Sequence, residues 1–357
     1  MEFKKKLIFH LKKKQQATKM VSILFIGDQH FKTDNIKEID LFIISIEKIT
    51  IQKKPTIIIL AGDLLDSHER LHITPLNKAY ELVNKLRILA PVYILVGNHD
   101  MCNNQQFLSD NHWMNGMKNW KNTYIIDKVH YETINDFNFT FVPYVFTGRF
   151  EEALNTIDEW KSSHCIFAHQ EFFGCKMGAI ISMEGDKWSL HYPPIVSGHI
   201  HLNQTPQKNI YYPGSSLQTS FSDPFNNIVA LLSFRSNNDI YELEEIPLCL
   251  PKKKIMYIKI EDVNIVQISD LVRDNYKIKL SLSGTVEQFK AFKKTSIYKD
   301  ITKHQTVKIV FKQNLPDNLS DNIIEHRSFN DVLHQLIVSE NNKYLYKIYE
   351  LIINNKL

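Results

Sequence analysis

Nine side chains able to hold a metal ion or move a proton stand at the ends of apolar runs: Asp28, His30, Asp63, Asn98, His99, Asp100, His169, His199 and His201. The run 92–96 (Val-Tyr-Ile-Leu-Val) stops at Gly97, and Asn98-His99-Asp100 follows at once, an amide, an imidazole and a carboxylate from one tight turn. Core packing has no use for that trio. The device recurs. Residues 21–26 end in Gly27-Asp28-Gln29-His30, residues 56–61 in Gly62-Asp63-Leu64-Leu65-Asp66, residues 164–168 in His169, and residues 193–197 in Gly198-His199-Ile200-His201. Residues two apart on a strand share a face, so Asp28 and His30 can reach one point, as can His199 and His201. Imidazoles mixed with carboxylate and amide oxygens suit manganese, iron or zinc. Seven of the eight groups other than Asp100 are too many for one ion that must also bind substrate. They divide between two ions with one carboxylate shared. Two such ions about 3.5–4 Å apart clamp an in-line displacement at phosphorus and bring the pKa of a bound water toward roughly 7.

Positioning these groups needs a sheet. The β-branched runs 21–26, 56–61 and 92–96 read as strands buried on both faces, joined by helices at 36–51 and 75–89, with Pro55 stopping the first. Strand-helix-strand-helix-strand with polar groups at three successive strand ends predicts an α/β fold with its site in the crevice beyond those ends. Further strands are expected at 137–145, 164–169 and 193–198, a helix at 151–162, and closing strands at 211–212 and 228–234. Trp113 and Trp120 read as core residues, and His68, His72, His112, His164 and His191 as ordinary polar ones, His68 being nearest to the chemistry. Lys252-Lys253-Lys254 after Pro251 reads as a linker. Beyond it, strands at 255–260, 276–282 and 306–311, with a helix at 286–294, predict a small α+β module, and helices are expected at 329–339 and 344–353.

Composition narrows the class. The 357 residues are 43% hydrophobic and 23% charged with net charge +4, values of an ordinary soluble globular protein. The weak basic excess says little about a polyanionic partner, and no apolar run is long enough to span a bilayer. Lysine far outnumbers arginine, although arginine is the better phosphate ligand, so the bias reads as genomic. Cys102, Cys165, Cys175 and Cys249 form no paired spacing, which argues against a disulfide framework and for a reducing compartment, cytoplasmic or nuclear. Residues 1–20 form a basic extension whose apolar stretch is too short for a secretory signal. They are expected to lack fixed structure, with Met20 a natural start.

The ordered set Asp28-Gln29-His30, Gly62–Asp66, Gly97–Asp100, His169 and Gly198–His201 resembles the calcineurin-like metallophosphoesterase superfamily over about residues 21–235. Within it the chain looks most like the SbcD-type double-strand-break nucleases, through Gly62-Asp63-Leu64-Leu65-Asp66-Ser67, the turn Tyr212-Pro213-Gly214-Ser215 and the small module where that family carries a DNA-binding cap. The segment 169–174 is similar to phage and large-virus members.

The resemblance implies a four-layered α/β/β/α sandwich at 21–250, a C-terminal cap at 251–315 and a helical tail at 316–357 available for partner docking. It implies two divalent ions, manganese foremost, with iron, zinc or magnesium as alternatives. Asp28, His30 and His201 would hold one ion and Asn98, His169 and His199 the other, with Asp63 bridging. His99 would stabilise charge at phosphorus and help the leaving oxygen depart, and Asp100 would orient His99. Relatives with a histidine at the position of Asp66 leave that residue's role open. The implied activity is a DNA exonuclease and endonuclease using a metal-bridging hydroxide in recombination, repair or replication, as a homodimer with an SbcC-type coiled-coil ATPase and no membrane association. The rivals are a phosphatase or cyclic-nucleotide phosphodiesterase on other esters, and an inactive binding module on the same fold. Lys253, Lys254, Lys290, Lys293 and Lys294 are candidate phosphate contacts.

Overall fold

The computed structural model describes residues 20–223, 226–236, 240–263, 265–273, 276–313, 333, 337 and 342–353. The chain enters on β1 (Met20–Ile26), crosses by α1 (Ile36–Lys53) to β2 (Ile57–Leu60) and by α2 (Ile73–Leu89) to β3 (Val92–Leu95), then adds β4 (Thr123–Ile126). Lys54, in the left-handed region, closes α1 by donating its N–H to the Thr50 carbonyl, and Pro55 prevents continuation. The second sheet takes β5 (His130–Ile134) and β6 (Phe137–Val142), then, after the short α3 (Phe150–Leu154), β7 (Cys165–His169). A small hairpin, β8 (Lys176–Met177) and β9 (Ile180–Ile181), precedes β10 (Ile195–Gly198), β11 (Gln204–Gln207) and β12 (Ile210–Tyr212). The chain then returns to the first sheet with β13 (Ile228–Arg235) and β14 (Glu242–Pro247).

Two six-stranded sheets result, ordered β14-β13-β1-β2-β3-β4 and β11-β12-β10-β7-β6-β5. The inner strands β1 to β4, and β12, β10, β7 and β6, run parallel. Three apolar seams make four layers. Ile39, Phe42, Ile43 and Ile46 of α1 and Leu82, Val83 and Leu86 of α2 cover the outer face of the first sheet. Phe25, Ile59, Leu95, Phe139, Phe141 and Phe167 fill the seam between sheets. Phe150, Trp160, Phe172 and Trp188 cover the outer face of the second. This is the expected α/β/β/α sandwich. Each fully buried phenylalanine contributes roughly 1.5–3 kcal/mol, enough for the seam to offset local strain elsewhere.

Several elements differ from the expectation. The helix expected over 151–162 stops at Leu154, and a separate 3-10 turn, Glu159–Ser162, follows. Its apolar side chains, Phe150, Ala153, Leu154 and Trp160, reach the core without an unbroken helix between them. The lysines read as a linker are instead the first residues of β15 (Lys252–Lys259). Lys253 is buried there, its Nζ bonding the Thr219 carbonyl at 2.8 Å. Beyond β15 come α4 (Ile265–Arg273), β16 (Tyr276–Gly284), α5 (Val286–Phe292), α6 (Ser296–Lys303) and β17 (Val307–Gln313). The three strands pair in parallel, β15-β16-β17, and Ile268, Phe292 and Ile301 from the helices cover one face. Of these three helices the sequence pattern predicts only α5, within the helix expected at 286–294. Among the remaining described residues, α7 spans Lys343–Ile353; the helix expected at 329–339 lies almost wholly outside the described residues. No helix among the described residues is long and apolar enough to cross a membrane.

Candidate metal centre

The ends of β1, β2, β3, β7 and β10 meet at one place because both sheets point their parallel strands there. Each turn is cut close. A Cβ on Gly97 would collide with the backbone N and Oδ1 of Asp63, and one on Gly62, whose φ is +98°, would stand 2.6 Å from His169 Nδ1. Three non-glycine residues at the centre also adopt left-handed backbone: His30 (φ 45°), Asp63 (φ 50°) and His199 (φ 78°). Such conformations cost of order 1–3 kcal/mol each and cluster at functional sites.

The side chains converge in three overlapping groups whose potential ligand atoms lie within 4.8 Å of one another: Asp28, His30 and His201; His30, Asp63 and His99; Asp63, His169 and His199. His30 Nε2 faces His201 Nε2 at 3.0 Å. The amide oxygen of Asn98 meets His169 Nε2 at 3.1 Å and His199 Nδ1 at 2.9 Å. Between these clusters sits Asp63 Oδ2, 3.5 Å from His30 Nε2 and 3.3 Å from His169 Nε2. Its other oxygen accepts the His99 N–H at 2.8 Å.

Partners outside the cluster aim the rings. His169 Nδ1 lies 2.6 Å from the Ala61 carbonyl; a carbonyl only accepts, so Nδ1 carries a proton, and Nε2 presents a lone pair once its own proton gives way to a cation. His99 Nδ1 is 2.7 Å from the Asp66 carbonyl, which by the same logic turns His99 Nε2 toward the centre. Asp28 Oδ1 accepts the His199 N–H at 2.8 Å, while its Oδ2 is buried without a hydrogen-bond partner, as is His30 Nδ1.

Electrostatics sharpen the picture. Burial raises the Asp28 carboxyl above its usual range. Burial opposes ionisation of Asp63 as well, but His169 and His30 hold it well below the usual range. Burial works to lower His169, and Asp63 overcomes it, lifting this imidazole to about 9. Burial and the neighbouring imidazoles take His199 down to about 3. Carboxylates and facing imidazole lone pairs, buried together around an unpartnered carboxylate oxygen, are the donor set of a divalent-cation centre. The residues present fit a pair of ions.

Asp100 departs from expectation. The His99 ring bonds the Asp66 carbonyl, not the Asp100 carboxylate. The carboxylate of Asp100 accepts from the backbone N–H groups of Leu64 (3.2 Å) and Gly97 (3.1 Å) and from the Trp113 indole (2.9 Å), tying the two metal-bearing turns together. Its side chain is drawn into that ring of donors, and the Asp66 carbonyl does the orienting instead. Burial, with Asp63 nearby, pushes the Asp100 carboxyl up to about 7. The Asp66 carboxylate lies 3.6 Å from His30 Nδ1.

Sequence reasoning also missed Asp223, whose Oδ1 is 3.9 Å from His201 Nδ1; no motif surrounds it. His68 stacks on His99 with ring centroids 4.6 Å apart, and only its closeness to Asp63 in sequence hinted at that.

A family model described as calcineurin-like phosphoesterase matches residues 21–203. The chain is 50% identical over 284 residues to 244L of Invertebrate iridescent virus 6, a candidate phosphoesterase by name; the match covers 77% of this chain and 98% of the relative. It is 44% identical over 321 residues to 078R of Invertebrate iridescent virus 3, likewise a candidate phosphoesterase by name, covering 89% and 92%. Among solved structures, a phosphatase from Mycoplasma pneumoniae aligns at 12% identity and a TM-score of 0.37, over 65% of this chain and 95% of that one.

Proposed function

The chain belongs to the calcineurin-like phosphoesterase family, and from that premise we propose that it is a manganese-dependent phosphodiesterase acting on DNA. In this reading Asp28, His30 and His201 hold one ion and Asn98, His169 and His199 the other, with Asp63 bridging. When bound, the two ions activate water and neutralise charge at phosphorus. The protein does the rest. Backbone and carbonyl hydrogen bonds fix the imidazoles, so little reorganises during reaction. A water oxygen bonds to phosphorus, releasing a proton to solvent, as the P–O bond to the leaving oxygen breaks, and His99, its Nδ1 held by the Asp66 carbonyl, protonates that oxygen from Nε2.

The observation that carries DNA as substrate is the small sheet. Its strands β15, β16 and β17 contain no acidic residue. The face opposite its helices presents Tyr257 and Lys259, Lys279, Lys308 and Lys312 by the alternation of the strands. Tyr257 is 71% exposed, and the Lys312 ammonium stands 5.5 Å from its ring. Lysines beside an exposed aromatic suit a backbone phosphate and a stacked base. An SbcC-type ATPase on α7, where Tyr344 and Ile348 are exposed, and a homodimer belong to the same reading.

End-labelled duplex and single-stranded DNA, incubated with the protein in manganese, test it. Cleavage is expected, with Tyr257→Ala/Lys312→Ala weakening it and lowering its salt dependence. Hydrolysis of bis(p-nitrophenyl) phosphate with both DNA substrates untouched would sink the DNA assignment.

A further inference from the structure

Two clefts adjoin the centre, and different residues line them. One, the more open, is lined by His68, Cys102, Asn103, Asn104 and Gln105 and has a volume of ≈ 470 Å³. Because His68 stacks on His99, this cleft is on the side where the leaving oxygen departs. The other, also ≈ 470 Å³, opens directly from His199 and His201; Met177, Gly178, Ile200 and Leu202 form its apolar wall, and Lys176, Ser222 and Asp223 line it as well. Volumes of this size suit small organic groups.

The apolar wall is preformed. The Gln204 side chain grips the backbone of Lys176 at both ends, accepting its N–H at 2.7 Å and donating to its carbonyl at 2.8 Å. Below, Gly174 N–H bonds the Ser182 carbonyl and Ser182 N–H the Cys175 carbonyl, each at 2.8 Å. The β8–β9 hairpin is thus pinned against the loop that carries two of the proposed metal ligands. Nothing in the fold requires Met177 to stand there: it contributes to no core and is 38% exposed.

A phosphomonoester has one organic group, which leaves. A diester keeps a second, and that retained group needs a place beside the ions away from His99. We propose that the cavity between Met177 and Leu202 is the subsite for the retained substituent of a phosphodiester, and that it takes a flat apolar ring of nucleobase size. The assignment rests on the phosphodiesterase reading of the same centre. A polarizable thioether packs well against an aromatic ring, and Met177 and Leu202 offer apolar surface to its face, while Lys176, Ser222 and Asp223 line the same cavity with polar groups.

Two substrates with the same leaving group decide it: thymidine 5′-(p-nitrophenyl phosphate) and methyl p-nitrophenyl phosphate. The wild type is expected to favour the nucleoside ester by about tenfold or more in kcat/KM, the scale of burying part of a ring. Met177→Asp should bring the ratio to near one, and Met177→Leu should keep it. Calorimetry on the manganese-loaded protein provides an independent readout: thymidine 5′-monophosphate should bind more tightly than inorganic phosphate, and Met177→Asp should abolish the difference. Equal hydrolysis of the two diesters by the wild type would overturn the subsite alone. A preference indifferent to Met177→Asp would overturn its location. Hydrolysis of p-nitrophenyl phosphate with neither diester cleaved would overturn the phosphodiesterase reading beneath it.

Discussion

At the scale of the residue, the division of labour among imidazoles follows from what each second nitrogen touches. His169 and His99 both commit Nδ1 to a backbone carbonyl, yet their Nε2 atoms face different neighbours. His169 Nε2 faces Asn98 and Asp63 oxygens at 3.1 and 3.3 Å, where a shared cation would sit. His99 packs edge-on to His30 and flat against His68, at the margin of the cluster. His99→Ala is therefore expected to retain both metals and lose turnover by about 10²–10⁴, the range of a lost general acid. Elemental analysis alongside kcat on bis(p-nitrophenyl) phosphate separates the cases; loss of an ion in step with activity would return His99 to the ligand set, which the grouping of His30, Asp63 and His99 permits geometrically.

Elements act here mainly by close approach. The turn after β3 passes so near the turn after β2 that Gly97 admits no side chain beside Asp63, and Asp100 then locks the pair by accepting from Leu64, Gly97 and Trp113. Gly97→Ala should lower metal stoichiometry and thermal stability together; normal metal content at an unchanged melting temperature would show that the two turns can part without consequence. The segment before β4 offers a pH effect with a definite sign. Burial holds His112 below its ordinary value, the Asp127 carboxylate opposing only in part. A group whose folded pKa is depressed contributes stability above its unfolded pKa, near 6.5, that is lost as pH falls toward the folded value. The melting temperature should thus fall less between pH 7 and pH 5 in His112→Gln than in the wild type, and parallel curves in calorimetry would refute it.

For the molecule as a whole, the junction between the sandwich and the small module is polar and specific. Glu38 of α1 is buried and ion-paired with Lys277 of β16, while Lys253 of β15 reaches the Thr219 carbonyl and exchanges backbone and side-chain hydrogen bonds with Gln218. Removing one partner of a buried pair leaves a charge without compensation. Since Lys277 keeps some contact with water, Lys277→Met is expected to cost about 2–3 kcal/mol, below the roughly 3–5 kcal/mol of a fully buried pair, with Glu38→Gln/Lys277→Met recovering most of it. Urea unfolding checks this, and additive losses in the double variant would mean that the pair does not couple the two parts. The same junction runs from Lys253 through Thr219 to Asp223, which accepts from the Thr219 hydroxyl at 2.7 Å and lies beside His201. The position of the module is thereby tied to the metal centre.

What the sequence determined by itself was local. Apolar β-branched runs ending in Gly-Asp, Gly-Asn-His-Asp and Gly-His-Ile-His announce both a parallel α/β sheet and metal-competent side chains at its strand ends, because alternation and buried periodicity are properties of consecutive residues. The chemical class of the centre follows from that, and the four-layered sandwich from the resemblance that the ordered motifs carry. Contacts between distant segments were decided only by the tertiary structure. Asp66 aims His99 through its backbone carbonyl, a group every residue carries and no motif marks. Asp100 is drawn to Trp113 and the Gly97 amide rather than to its own neighbour. Asp223 comes to His201 from a loop with no signature, and a lysine run that reads as a solvated linker becomes a strand because Gln218 and Thr219 offer its backbone and ammonium buried partners. Hydrogen-bond partners are chosen by proximity in space, and a linear pattern encodes which groups exist, not which of them the fold brings within 3 Å.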